Sequence, residues 1–281
     1  MTAAPLLPEI HIDEHASADD ARAFLDRERL LAAYALADLD AQGDDRSRWW
    51  LARRDGEAVA CAVLVETLPF RPCFAIGDAE ALAQLFREAV REPRLILALP
   101  PSARWAAEAT YRFERCDRMQ RMVVRAATFL PRSAHKVARL GPQRIDDVID
   151  LYGHASRSYF TPARLERELY FGVYAAGRLV AAAGTHVRSA RAGIAAVGNV
   201  LTRLAYRGRG MATACTSTVT EAALAGHRDV VLNVREDNAP AIAVYRRLGF
   251  AVHAPFIEGP ALRRAAWERL TRQLFGGRED A

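Results

Sequence analysis

Cysteine is scarce in this chain and never occurs in close pairs. The four cysteines, Cys61, Cys73, Cys116 and Cys215, are far apart, so none has the spacing of metal ligands. They are also few for a disulfide-stabilised scaffold. The pattern argues against a cysteine-based metal site and a disulfide framework. It is typical of buried, apolar thiols in a reducing compartment.

Long hydrophobic runs are absent as well. No segment approaches the roughly 20 apolar residues that a membrane-spanning helix requires. The N-terminal stretch MTAAPLLPEIHIDEH has neither a basic region nor an apolar stretch of signal-peptide length. We therefore expect a soluble, cytoplasmic protein that does not associate with a membrane.

Lysine occurs once, as Lys136, so arginine supplies almost all of the 39 basic residues. The formal net charge is +5, but the arginines are scattered among 34 acidic residues and form no basic block. A nucleic-acid partner is therefore not expected. What the chain does have is length, with 281 residues of which 51% are hydrophobic, enough for two modest domains.

The second half of the sequence alternates between strand and helix patterns. Two apolar strands flank a turn at Ala176-Gly177, and a third strand is predicted over 192–202. A helix over 211–225, a buried strand over 229–234, a helix with Pro240 in its first turn and a final strand from Phe250 follow. This order predicts an α/β fold, with a mixed sheet covered by helices on both faces.

The first half repeats this order. The segment 49–66 matches 170–187 with an offset of 121 residues, which places Gly56 on Gly177 and Val59 on Val180. A helical region precedes each hairpin, and helix and strand patterns follow each one. Two ordinary hairpins could match by coincidence, but the shared element order favours a duplication. We therefore predict two domains, 1–131 and 132–281, joined near LPRSAHKVARLG.

The two predicted copies differ where an anion could bind. The stretch LAYRGRGMATA, from Leu204 to Ala214, places two glycines between a strand and a helix. Glycine lets backbone amides approach a ligand, and a helix N-terminus attracts phosphate. The corresponding stretch of the first copy, AIGDAEAL, carries Asp78 and Glu80, whose charges repel a phosphate. Only the second copy is therefore expected to bind an anion.

Neighbouring residues exclude two common nucleotide sites. No Lys-Ser or Lys-Thr follows the last glycine, as a P-loop requires, and no acid ends the next strand, as a dinucleotide site requires. Asn238 lies 28 residues after Gly210, Tyr245 lies seven residues further on, and Leu248-Gly249-Phe250 closes the segment. A lone Gly-x-Gly could be only a tight turn, so the argument depends on this whole set.

These residues resemble the GNAT acyltransferase superfamily. The stretch Arg207-Gly208-Arg209-Gly210-Met211-Ala212 fits its Arg/Gln-x-x-Gly-x-Gly/Ala motif, and NVREDNAPAIAVYRRLGF fits its second signature. The close match covers about residues 165–255, and the first half matches only as a decayed copy. The resemblance implies two GNAT-like domains in tandem, with acetyl-CoA or another acyl-CoA as the donor and no metal.

The resemblance also implies a role for individual residues. Backbone of the strand before the loop would pair with the pantetheine arm, loop amides would bind the pyrophosphate, Asn238 would contact the arm, and Tyr245 would be the general acid. The implied CoA-binding residues are Val200, Leu201, Thr202, Arg207, Gly208, Arg209, Gly210, Met211, Ala212, Thr213 and Asn238.

Simpler interpretations stay open for the side chains. Arg207 and Arg209 could be solvated surface residues, Asn238 could be a helix N-cap, and Tyr245 could be a core tyrosine. The sequence also departs from the family, because Leu204-Ala205 replaces the Pro-acid pair that is common before the loop.

The general base is not identified. No carboxylate occurs between Arg191 and Glu221, although histone-acetylating relatives carry a glutamate base on this strand, near Ala196 here. His186 is the nearest titratable group, although a structural histidine is the simpler interpretation. Asn199 could position a water.

We expect an N-acyltransferase in which a primary amine attacks the thioester directly. The acceptor would be a small-molecule or peptide amine, and a homodimer is an open alternative to a monomer. The second half would be catalytic, and the first would support it. A non-catalytic acyl-CoA-binding sensor or interaction module is the alternative, and an acyltransferase that uses aminoacyl-tRNA or a longer acyl chain is a third. The acceptor depends on the segments 159–167, 189–192 and 256–270, and the sequence does not identify it.

Overall fold

The computed structural model describes residues 9–40, 47–132 and 134–264. Its strands, in chain order, are β1 Ile10–Asp13, β2 Ser47–Arg54, β3 Glu57–Val65, β4 Pro72–Gly77, β5 Arg94–Leu99, β6 Tyr111–Phe113, β7 Asp117–Val124, β8 Ala138–Arg139, β9 Tyr170–Ala175, β10 Arg178–Ser189, β11 Ile194–Thr202, β12 Asp229–Arg235 and β13 Ala251–Arg263. The α-helices are α1 Ala18–Leu25, α2 Ala33–Asp40, α3 Ala79–Glu88, α4 Arg104–Glu108, α5 Ile145–Tyr152, α6 Pro162–Arg167, α7 Met211–Leu224 and α8 Ala239–Arg247. No helix in these ranges is long and apolar enough to cross a membrane.

The chain forms two compact units. The first comprises residues 1–28, 41–118 and 255–281, and the second comprises 29–40 and 119–254. Strands of the first unit are ordered β1-β2-β3-β4-β5-β13, with β6 also paired to β13, and strands of the second are ordered β7-β12-β11-β10-β9-β8. In each unit one pair is parallel, β4 with β5 and β11 with β12. The predicted α/β fold with mixed strand pairing is confirmed.

The hairpin of each unit turns in the same way. Strand β2 joins β3 through Asp55-Gly56, and β9 joins β10 through Ala176-Gly177. All four of these residues have positive φ, between 49° and 83°. Two consecutive residues with positive φ define the type I′ turn, whose twist matches that of the paired strands. The offset of 121 residues therefore matches equivalent turns, which supports the predicted repeat.

Helices cover both faces of the second unit's sheet. Cys215 and Val219 of α7 and Tyr245 of α8 pack in one cluster with β-strand residues. Val148 of α5 and Leu165 of α6 pack in another cluster with further strand residues. The sheet is therefore buried between α7 and α8 on one side and α5 and α6 on the other. All four cysteines of the chain are free thiols.

The last strand of each unit comes from the other half of the sequence. Strand β7, which ends the first predicted repeat, pairs antiparallel with β12 over Val230–Arg235. Strand β13, which ends the second repeat, pairs antiparallel with β5 over Ile257–Leu262. The compact units therefore do not coincide with the sequence-based division at 131/132. Pattern and spacing predict a strand, but its partner is chosen by non-local packing.

A short N-terminal segment, 29–40, also belongs to the second unit. At its start Arg29 donates to the fully buried carboxylate of Asp229, and at its end Asp40 accepts from the hydroxyl of Ser189. Arg125 and Arg228 also contact Asp229. Burial alone would raise the pKa of Asp229, but the hydrogen bonds of these arginines outweigh it, so the pKa is lowered. The segment is thus fixed to the second unit at both ends.

We expect the fragment 132–281 to be less stable than the full chain. It lacks β7, the sole strand paired with the outer edge of β12 among the described residues, and it lacks the segment 29–40. Its β13 also loses β5 as a partner. Melting curves of 132–281, of 119–281 and of the full chain should show increasing stability in that order. A soluble 132–281 that melts with the full chain would contradict the expectation.

Candidate active site

The loop before α7 presents a series of unpaired backbone amides. Gly210 is the N-cap of α7 in the left-handed conformation, with φ +79°, and no side chain caps the helix. In the described part of the chain, none of the amides from 208 to 213 donates a hydrogen bond. The first four N–H groups of a helix have no intrahelical partner, so they can bind an anion. The loop therefore has the donors that a diphosphate requires.

The equivalent helix of the first unit, α3, has its N-terminus occupied by its own side chain. The carboxylate of Asp78 caps α3 by accepting from the Ala81 amide at 2.9 Å, and Arg54 lies 3.2 Å from the same oxygen. The amide of Asp78 donates to the carbonyl of Val59 at 2.8 Å. Two of the amides equivalent to those that α7 leaves free, those of Asp78 and Ala81, are thus used in α3, and a negative charge already occupies that position.

His135 contacts the back of the α7 loop. Its Nε2 lies 2.7 Å from the carbonyl oxygen of Arg209, which can only accept, so Nε2 carries the proton. In a trans peptide the carbonyl and the next amide point in opposite directions. The contact therefore holds the Gly210 N–H away from His135. The Arg132 amide, three residues before His135, donates to Ser217 Oγ of α7 at 2.8 Å, so this part of the chain is also hydrogen-bonded to α7.

The two loop arginines are exposed. Arg207 donates through Nε to the carbonyl of Thr202 at 3.2 Å, and the guanidinium of Arg209 lies 5.4 Å from the ring centre of Tyr206. Neither contact buries the positive charge. Both side chains thus add positive charge at the loop surface.

Strand β11 separates from β12 just before the loop. Their parallel pairing ends at Val197 and Leu232, whereas β11 continues to Thr202 and pairs with β10 up to that residue. Exposure changes at the same point, because 194–197 are buried and 198–202 are half-buried. The edge of Val200, Leu201 and Thr202 that faces away from β10 is thus available to an extended ligand. We call this opening, along 198–202 of β11, the mouth.

The residues of the second motif lie on α8. Asn238 is its N-cap and accepts from the Ala241 amide at 3.3 Å, so the capping interpretation of this residue is confirmed. Tyr245 is 7% exposed and lies edge-on to Phe250, with 6.0 Å between ring centres. Burial raises the pKa of Tyr245 to about 12. The phenol therefore keeps its proton at neutral pH, whether it acts as an acid or only fills the core.

A polar cluster surrounds Asn199 at the mouth. Asn199 has φ +50°, and its Nδ2 donates to the hydroxyls of Tyr170 at 2.8 Å and Tyr159 at 3.2 Å. Its carbonyl accepts from the hydroxyl of Tyr152. Arg164 of α6 donates to Tyr159 at 2.8 Å and stacks over that ring at 4.0 Å. Left-handed backbone at a polar residue is common at functional sites, and here it turns Asn199 into the cluster.

His186 continues this cluster toward α2. Its Nδ1 lies 2.9 Å from the hydroxyl of Tyr34, and its ring also hydrogen-bonds the side chain of Asn199. A Cβ on Gly198 would lie 2.3 Å from the imidazole, so the ring packs directly on β11 at the mouth. Burial lowers the pKa of His186 to about 4, so the ring is neutral near pH 7. A group with so low a pKa is a weak acceptor for the proton of an alkylammonium.

The three segments on which the acceptor was expected to depend lie in different parts of the structure. The segment 159–167 supplies Tyr159 and Arg164 to the mouth. The segment 189–192 joins the opposite ends of β10 and β11, where Ser189 bonds to Asp40, so it lies away from the mouth. The segment 256–270 is β13 of the first unit as far as Arg263, and its residues after 264 lie outside the described ranges. In those ranges no group of His, Cys, Asp and Glu could hold a metal ion.

Comparison with known proteins identifies the segment that carries the loop. Residues 141–250 match the model of the acetyltransferase (GNAT) family, as the two motifs predicted. No curated protein matches the sequence. The chain as a whole is similar in structure to several solved proteins of this family.

Three solved structures illustrate the likeness. A GCN5-related N-acetyltransferase from Kribbella flavida is 17% identical with a TM-score of 0.60, and covers 84% of this chain and 94% of its own. One from Sphaerobacter thermophilus is 18% identical with a TM-score of 0.59, and covers 92% and 98%. A tandem GNAT protein from the clavulanic acid biosynthesis pathway is 18% identical with a TM-score of 0.55, and covers 90% and 98%. At these identities the likeness shows a shared fold.

Proposed function

We propose that the protein is an acyl-CoA-dependent N-acyltransferase whose donor and acceptor meet at the mouth of the second unit. The GNAT match of residues 141–250 supports acyl transfer from acyl-CoA in general. The observation that carries the proposal for this chain is the set of free amides from 208 to 213 beside an open strand edge. Acetyl-CoA is the proposed donor, and a small-molecule or peptide amine is the proposed acceptor.

The residues present offer the hydrogen-bond donors and the open strand edge that CoA would require. The α7 loop would hold the pyrophosphate through its free amides, Arg207 and Arg209 would add charge, and Val200–Thr202 would bind the pantetheine arm through backbone hydrogen bonds. CoA supplies the activated acyl group as a thioester. Asn238 already caps α8, so we assign its side chain to helix capping first and to the arm second.

The mouth would orient the amine rather than provide a strong base. The hydrogen bonds of Tyr152, Tyr159, Tyr170 and Asn199 within the described residues involve no carboxylate. His186 is neutral and only weakly basic. Alignment of an uncharged amine with the acyl carbon would then account for most of the rate enhancement, because effective molarities of oriented groups reach about 10⁵ M or more. Amine that is already uncharged in solution would be the reactive form.

Release of CoA with a panel of primary amines tests the proposal. We expect turnover of acetyl-CoA with at least one amine above the rate of hydrolysis, and a product mass that is larger by one acyl group. Calorimetry of CoA alone should give one site per chain.

The absence of a strong base also suits a second candidate, the acyl-CoA sensor. Tight binding of acyl-CoA without acylation of any amine would favour the sensor. Failure to bind CoA at all would contradict both proposals.

A further inference from the structure

We infer that the amine acceptor carries a carboxylate, which Arg164 binds together with Tyr159. This inference rests on the proposed function and names the substrate class of the same site. It depends on the location, the charge and the hydrogen-bond polarity of the cluster around Asn199.

The cluster is placed where an acceptor must arrive. Asn199 lies two residues beyond the last β11–β12 pair, on the part of β11 that has no partner on that side among the described residues. Tyr159, Arg164 and Asn199 are each half-buried, so part of each residue is open to solvent, whereas Nε of Arg164 is itself buried. Tyr170 is fully buried beneath them. A molecule that enters the mouth therefore meets a guanidinium and a phenol before it meets the sheet.

The charge of Arg164 is not neutralised within the cluster. No carboxylate of the described ranges lies within salt-bridge distance of its guanidinium, and its Nε is buried without a hydrogen-bond partner. The nearby carboxylate of Glu168 is engaged elsewhere, since it accepts from Thr185 at 2.7 Å and from Arg188 at 3.2 Å. A half-buried guanidinium without a counter-charge favours an anionic ligand, because pairing repays the cost of its desolvation.

The directions of the hydrogen bonds in the cluster leave further donors without an acceptor. Asn199 turns its Nδ2 to both tyrosine hydroxyls, so its amide oxygen accepts from Nε2 of His186, and the neutral ring then accepts at Nδ1 from Tyr34. With this polarity Tyr159 and Tyr170 only accept within the cluster. Their hydroxyl protons, with the Nε–H of Arg164, are three hydrogens without an acceptor.

The hydroxyl of Tyr159 and the guanidinium of Arg164 are donors that match a carboxylate and oppose a second cationic group. A carboxylate has about four lone-pair sites and forms strong charge-assisted bonds with arginine. A polyamine would instead place an additional ammonium beside Arg164, with no acid in the cluster to bind it. Phosphate shares the oxyanion chemistry, but a single guanidinium balances one negative charge better than two. Amino acids and related amine carboxylates are therefore the substrate class.

The test compares matched amines that differ at one group. Each amino acid is assayed beside its carboxamide and its decarboxylated amine, with O-phosphoethanolamine as the phosphate arm and acetyl-CoA as the donor. We expect kcat/KM for the best carboxylate to exceed that of its carboxamide by about tenfold or more. In Arg164→Gln this ratio should fall toward one, and Arg164→Lys should restore part of it. Arg157→Gln, at an exposed neighbouring arginine, should keep the wild-type ratio.

Several results would overturn the inference. These are an equal or higher kcat/KM for the decarboxylated amines or for O-phosphoethanolamine, or an equal loss for both members of a pair in Arg164→Gln, which would indicate a structural role. Melting temperatures of all variants identify misfolding. If no amine is acylated, the proposed enzymatic function fails, and calorimetry still decides the inference: selective binding of carboxylates supports it, and binding without selectivity contradicts it.

Discussion

Ala212→Glu should abolish CoA binding while the protein stays folded. Ala212 is the second residue of α7, and its amide is one of the free donors of the loop. A carboxylate there would occupy the phosphate site and repel a diphosphate. The same charge favours an isolated helix N-terminus by about 0.3–1 kcal/mol. The melting temperature without ligand should therefore be unchanged or higher, even though affinity for CoA falls by at least about 100-fold.

Two control variants separate charge from size and one unit from the other. Ala212→Gln introduces a side chain of the same length without charge, so any affinity that it retains beyond Ala212→Glu reports the charge. The first unit already carries Glu80 at the second position of α3, and Glu80→Ala should leave CoA affinity unchanged. Gly77 is unsuitable as a control, because a Cβ there would lie 2.3 Å from the Val59 carbonyl. Undiminished affinity in Ala212→Glu, or two CoA per chain in the wild type, would refute the proposed site.

Tyr245→Phe should lower kcat by roughly 100-fold and leave acyl-CoA affinity nearly unchanged. A positioned general acid typically contributes about 10²–10⁴ to the rate. Because burial raises the pKa of Tyr245 to about 12, the phenol is protonated at working pH and can donate to the departing sulfur. Phenylalanine keeps the edge-on contact with Phe250 and the packing around it. The loss should therefore appear in kcat and only weakly in KM for the donor.

The core-tyrosine interpretation makes the opposite prediction. If Tyr245 only fills the cluster between α8 and the sheet, Tyr245→Phe shifts the melting temperature slightly and leaves kcat within a few-fold. Tyr206→Phe, at a half-buried tyrosine of the loop, is the matched control for loss of a phenol near the CoA site. Steady-state kinetics and melting curves on the two variants distinguish the interpretations. An unchanged kcat in Tyr245→Phe would remove this residue from the mechanism and favour the sensor.

Local patterns predicted the elements of the second unit closely. The helix expected over 211–225 extends from Met211 to Leu224, and the strand expected over 229–234 extends from Asp229 to Arg235. Glycine and proline mark these boundaries, and their effects act within a few residues. In the first unit, helix α4 is short. It ends at Glu108, and Tyr111–Phe113 pairs with β13 as β6.

Strand partners could not be predicted in the same way. Gly259-Pro260 indicates a turn, yet β13 continues through it to Arg263. The backbone of Arg115 lies so close that a Cβ on Gly259 would be 1.8 Å from its carbonyl oxygen, so glycine serves close approach here rather than a turn. Such an approach depends on chain segments more than 100 residues apart, which no local pattern contains.

The glycine loop of the candidate site could be predicted from the sequence, and the cluster around Asn199 could not. A glycine loop before a helix can be recognised from residue types and their spacing alone. Tyr159, Arg164 and Tyr170 belong to no recognisable sequence motif, and only the fold places them beside Asn199. Tyr34 likewise contacts His186 from 152 positions away in the sequence. A positive φ at Asn199 was also not visible, although asparagine tolerates it better than most residues.

The exchange of β7 and β13 has a consequence for synthesis on the ribosome. Arg29 cannot contact Asp229, and β5 cannot pair with Ile257–Leu262, until those later residues have been translated. At about 5–20 residues per second, the 200 positions between Arg29 and Asp229 take about 10–40 s to translate. During that time apolar strand edges of both repeats are exposed in the nascent chain. The sheet of the second unit lacks β12 until Arg235 has been translated, and that of the first lacks β13 until Arg263 has been translated, so each unit completes its sheet only with a strand from the other repeat.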